Sequence, residues 1–166
     1  MKLLPVQWAA VVLIVVDAII VATVLATGTA LLPWPANLAL VLASVALMIV
    51  MLLMSGGSFS VKGFATLFRL LRETLPKWAI ALAAVAFYGG WLLFMTALAS
   101  DSFAGNLNHE NGKYTSTQRK VVRELTEEQY VAAQAASQRA WTGFSLAFAG
   151  GVLGFAGMAR RIKETG

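Results

Sequence analysis

Residues Val6–Thr27 read VQWAAVVLIVVDAIIVATVLAT, and this stretch decides the fold. Apart from Gln7, Asp17, Thr23 and Thr27, every side chain in it is apolar. A helix rises about 1.5 Å per residue, so the stretch is long enough to cross a hydrocarbon core roughly 30 Å thick. Three later stretches have the same character: Asn37–Met54, Trp78–Ala99 and Trp141–Met158. The reading is therefore an all-α integral membrane protein, a single membrane domain over residues 1–166. Its spans run about 6–27, 37–54, 78–99 and 141–158.

Composition agrees. The chain is 58% hydrophobic and 13% charged, where an ordinary soluble domain carries about 25% charged residues. Lys2 before an apolar run could open a signal peptide, but the run is about twice a typical signal core and contains Asp17; we read it as an uncleaved first span. The net charge of +5 forms no dense basic stripe, so nucleic acid is not expected as a partner. The absence of cysteine excludes disulfide and thiolate chemistry.

The basic residues segregate along the chain. Lys2, Lys62, Arg69, Arg72, Lys77, Arg160, Arg161 and Lys163 fall on one side of the expected membrane. Lys113, Arg119, Lys120, Arg123 and Arg139 fall on the other, interspersed with Asp101, Glu110, Glu124, Glu127 and Glu128. The positive-inside rule then places both termini in the cytoplasm. Trp8 and Trp78 near the inner ends, with Trp34 and Trp141 near the outer ends, fit an aromatic belt.

The connections are readable as well. Pro33-Trp34-Pro35 predicts a stiff turn and an antiparallel hairpin of the first two spans. After Gly56-Gly57, a hinge, helical spacing of Val61, Phe64, Ala65, Phe68, Leu71 and Leu75 predicts an amphipathic helix over about 58–75, lying in the inner interface. In the outer segment, 100–140, Asp101–Gly112 reads as loop, and Lys113–Gln118 with Lys120–Leu125 as a possible short β-hairpin. Thr126-Glu127-Glu128-Gln129 has the form of a capping box. No Gly or Pro interrupts Glu127–Thr142, so one helix is expected from Glu127 to Met158, its first four turns projecting beyond the membrane.

Asn111-Gly112-Lys113-Tyr114 and Lys120-Val121-Val122-Arg123-Glu124-Leu125-Thr126-Glu127-Glu128-Gln129-Tyr130 resemble a segment of small bacterial multi-pass membrane proteins of unknown function. In those an outer NGKY stretch and a TEEEY stretch precede the last span. The likeness covers about 20 residues of 166, and this chain departs from it at Thr117-Gln118-Arg119 and at Gln129. The resemblance implies a bacterial inner-membrane protein and no particular activity.

Two constellations are candidates for function. The first is polar. Asp17 lies near the middle of the first span, and no Lys or Arg lies within any span to pair with it. A carboxylate at that depth costs several kcal/mol unless it is neutral, hydrated or partnered. Ser44 and Tyr88 fall at the same expected depth and are its obvious local partners. Three readings stand: a protonated Asp17 bonded within the bundle, a contact with a cation of another subunit, or a proton or cation site in a transport path. The last usually needs more than one titratable group. The second constellation is steric. Ala133, Ala136, Ala140, Gly143, Ala147, Gly150, Gly154 and Gly157 recur three and four apart, and Ala79, Ala83, Ala86 and Gly90 match them in the third span. Small stripes let helices approach closely in lipid. They predict packing within one bundle or between copies.

His109, the only histidine, reads as a solvated loop residue. No phosphate loop, nucleophile elbow or paired-carboxylate signature is present, so no catalytic, cofactor-binding or metal-binding residues are assigned. The expectation is a non-catalytic multi-pass protein of a bacterial inner membrane that acts through contacts with other membrane subunits or with copies of itself. The alternative is a small oligomeric ion or proton channel, or a transporter, using Asp17.

Overall fold

The computed structural model describes residues 3–54, 64–100, 106–110, 112–118 and 121–165. Helix α1 spans Pro5–Thr27, α2 Trp34–Met54, α3 Phe64–Thr74, α4 Lys77–Leu98 and α5 Glu127–Thr165. Strands β1 (Asn106–Glu110), β2 (Lys113–Gln118) and β3 (Val121–Leu125) lie between α4 and α5. Among the described residues four helices, α1, α2, α4 and α5, are long and apolar enough to cross a membrane.

Local chemistry sets the boundaries. Pro5 opens α1 at a position whose N–H is not needed. Gln7 then accepts from the Leu4 N–H at 2.8 Å and donates to the Leu153 carbonyl of α5 at 3.2 Å. Gly28 ends α1 with φ +69°, a left-handed turn that favours glycine. The expected Pro33–Pro35 turn is shorter than predicted. Its last two residues already belong to α2, and the Pro33 carbonyl accepts the Ala36 and Asn37 N–H groups at 3.0 and 3.2 Å.

Helix α5 is the hub. In its most apolar window 72% of residues are buried, against 39% for α1 and 22% for α2 and α4. The other three pack around it, and α1 and α2 touch each other only lightly. The outward faces of those three carry Val12, Ile19, Leu42, Leu53, Val85 and Leu92, all exposed. Helix α3 packs on the far end of α5, where Leu75 is buried just past its end. The amphipathic helix is thus present over Phe64–Thr74, while residues 58–63 and Gly56-Gly57 lie outside the described residues.

The α4–α5 contact is backbone on backbone. A Cβ at Gly90 would lie 2.5 Å from the Ala147 nitrogen and from the Gly143 oxygen. A Cβ at Gly150 would lie 2.6 Å from the Phe87 nitrogen. Gly154 is looser, with its nearest neighbour, Ala83 Cβ, at 3.8 Å, and Gly157 faces Thr74 and Gln7 instead.

The segment before α5 departs from expectation. In place of a two-stranded hairpin there is a three-stranded antiparallel sheet, ordered β1-β2-β3. Residues 106–110, expected as loop, form β1, with His109 opposite Tyr114 and Glu110 opposite Lys113. Between the paired Glu110 and Lys113, Gly112 takes φ +75°, a conformation for which tight hairpins favour glycine. His109 stacks on Tyr114 with ring centroids 4.4 Å apart, and Tyr130 of α5 lies 4.9 Å from Tyr114. That ring cluster gives the marginal sheet a surface to pack on. Residues 119 and 120, between β2 and β3 in sequence, lie outside the described residues. The capping box forms in both directions: Thr126 N–H donates to Gln129 Oε1 at 3.0 Å, and Gln129 N–H to Thr126 Oγ1 at 3.2 Å.

Candidate functional site

Asp17 is fully buried where α1 packs on α5. Neither carboxyl oxygen has a hydrogen-bond partner among the described residues. Ser145 of α5 brings its hydroxyl beside the carboxyl, but that hydroxyl donates to the Leu40 carbonyl of α2 at 3.3 Å. The expected partners are not there. Ser44 is buried and donates to the Val41 carbonyl of its own helix at 2.8 Å. Tyr88 is 70% exposed.

The outward turn of Tyr88 follows from helix geometry. Successive residues advance about 100° around a helix. Ala86 and Gly90 must face α5, because only small residues permit that approach. Tyr88 lies two residues from each and so stands on the opposite face, beside the exposed Val85 and Leu92. Its ring packs edge-on against Phe87, with centroids 5.4 Å apart.

A second polar row, missed from sequence, lies on α5. Gln134, Gln138, Thr142 and Ser145 follow one another at spacings of four, four and three. The last three are buried. Gln138 Oε1 accepts the Leu31 N–H at 2.6 Å and the Leu32 N–H at 3.4 Å, closing the α1–α2 connection onto α5. Thr142 donates to Asn37 Oδ1 of α2 at 3.2 Å. With Ser145 on Leu40, the row fastens the α1–α2 connection and α2 to α5, from the sheet end down to the level of Asp17. Towards the other end of the bundle, Val6, Ala10, Leu13, Ile14, Met51, Val152 and Leu153 form an apolar cluster.

At the sheet end of the row lies a cavity of about 680 Å³, walled by the Ala30–Trp34 connection, Asn106 and Leu107 of β1, and the Tyr130–Trp141 face of α5. Trp34 and Trp141 meet edge-to-face at its rim, centroids 6.0 Å apart. Among the described residues no three His, Cys, Asp or Glu side chains gather as a metal site would require. His109, expected as a solvated loop residue, is a strand residue in the ring cluster described above. No protein-family model, curated protein or solved structure matches the chain.

Proposed function

We propose that this is a non-catalytic multi-pass membrane protein acting through protein–protein contacts, as an accessory subunit or assembly factor of a membrane complex. In this reading it sits in a bacterial inner membrane with both termini cytoplasmic, and α3 lies in the inner interface. The charge distribution and the NGKY-like segment support the location.

The observation that carries the reading is Tyr88. It stands midway along the 22-residue α4, 70% exposed, on a face turned away from the other described helices. A phenol there is roughly 15 Å from either head-group layer, too deep to snorkel out. A hydroxyl with no partner in an apolar medium costs about 4–8 kcal/mol on the hydrocarbon scale. A helix of a second membrane protein, offering an acceptor at mid-depth, removes that cost. The flanking Ala81 and Ala84, also exposed, let such a helix come close.

The oligomeric channel has less support. Asp17 points into its own bundle, against α5, and not onto a surface that copies could share around a pore.

Native mass spectrometry of the tagged protein, gently extracted from its own membranes, tests the proposal. We expect a second membrane protein in fixed ratio, and its loss in Tyr88→Phe, which removes only the hydroxyl. A homo-oligomer alone, or a complex indifferent to Tyr88→Phe, overturns it.

A further inference from the structure

The cavity at the sheet end is distinct from the α4 face and has a chemistry of its own. Three aromatic rings line it (Trp34, Tyr130 and Trp141), together with the neutral amides Asn106, Gln134 and Gln138. No Lys, Arg, Asp or Glu is among its described lining residues. At about 680 Å³ it falls in the usual range of small-molecule sites, about 300–1,000 Å³.

The neutral character of the described lining selects the ligand. A phosphate head group calls for Arg, Lys or a helix N-terminus with free amides. The N-terminus of α2 borders the cavity, yet its first turn contains Pro35, which has no N–H. The amides of Ala36 and Asn37 are spent on the Pro33 carbonyl. What remains is a set of neutral donors and acceptors beside flat rings. Gln138 adds an unused donor: its oxygen is held by the Leu31 and Leu32 amides, which fixes the amide orientation, and its Nε2 has no acceptor among the described residues. Side-chain amides offer two donors and an acceptor to ligand hydroxyls, and ring faces suit the C–H faces of a sugar. The Trp34–Trp141 pair marks the level at which belts of such residues meet the head-group layer.

We propose that this cavity binds an uncharged, polyhydroxylated group: the sugar head of a glycolipid, or a free sugar of the same chemistry. The hydroxyls bond to Gln134, Gln138 and Asn106, and the sugar ring stacks on Trp34 or Trp141. Exposed Leu31, at the rim, receives the start of an acyl chain if one is attached.

The test uses the full chain in phosphatidylcholine nanodiscs, titrated with dodecyl maltoside, maltose or dodecylphosphocholine at concentrations that leave the discs intact. Bound ligand is counted by native mass spectrometry. We expect saturable binding of dodecyl maltoside, weakened at least tenfold by Gln134→Leu and by Trp34→Leu in protein that unfolds at the wild-type temperature. Trp34 is half exposed, so its replacement preserves the fold even if that of Gln134 does not. Maltose binding as well points to a free sugar; binding of the maltoside alone points to a glycolipid. Both support the proposal. Equal uptake of dodecylphosphocholine, indifference to both variants, or no saturable binding of either sugar overturns it.

Discussion

Replacing Gly90 with alanine adds one methyl group to the tightest contact in the bundle. The new Cβ would meet the Ala147 nitrogen and Gly143 oxygen at 2.5 Å and the Ala147 Cα at 2.9 Å. All three are backbone atoms of α5, so no side-chain rotation relieves the overlap. Ordinary contact begins near 3.4 Å, and α4 must back away by about 1 Å. A gap of that size forfeits a quarter to a half of the dispersion energy along the seam. Overpacking of this kind costs about 1–3 kcal/mol, and we expect about 2 for Gly90→Ala. Gly154→Ala is the matched control. Its Cβ would meet only ordinary contact, at 3.8 Å, and alanine favours a helix interior by about 0.5–1 kcal/mol. Reversible unfolding in mixed micelles, followed by circular dichroism, should rank Gly154→Ala at or above wild type and Gly90→Ala below it. The opposite ranking, or no difference between the two, would refute the packing argument.

Three further outcomes follow from single contacts. Asp17→Leu removes a buried carboxyl that has no hydrogen bond, and we expect it to raise stability by about 1–3 kcal/mol; a protein that no longer folds would mean the carboxyl is satisfied in the folded state. Gln138→Ala orphans the Leu31 and Leu32 amides and should cost about 1–3 kcal/mol, with faster hydrogen exchange at those two amides as the local readout. Thr126→Ala removes the cap on the Gln129 amide and should cost about 1 kcal/mol. Exchange should quicken in the first turn of α5 and nowhere in α1 or α2.

Most of the architecture was legible because long apolar helices leave a plain signature in sequence. Apolar length gave the four spans, proline the α1–α2 connection, and a four-residue motif the start of α5. The sheet was harder. Asn, and to a lesser degree Glu, are poor strand formers, and Asn106–Glu110 reads as loop until β2 is there to pair with it. Yet Asn111-Gly112 was a hairpin signal in plain view. The polar candidates show the cost of counting depth without angle. Asp17, Ser44 and Tyr88 share a level, but the Ala79-Ala83-Ala86-Gly90 stripe had already put Tyr88 on the opposite face. The Gln134-Gln138-Thr142-Ser145 row carries the same helical spacing on another face of α5, beside the stripe of alanines and glycines. The cavity was not legible at all, since it joins residues more than a hundred positions apart.

The contact proposed at Tyr88 is tested most directly by cross-linking. With photoreactive p-benzoylphenylalanine in place of Tyr88, illuminated in intact membranes, we expect a discrete product between this chain and one other membrane protein. The same probe in place of Leu146, which faces the interior of the bundle, should give none. Cross-links to lipid alone at position 88 would rule out a protein contact at this face.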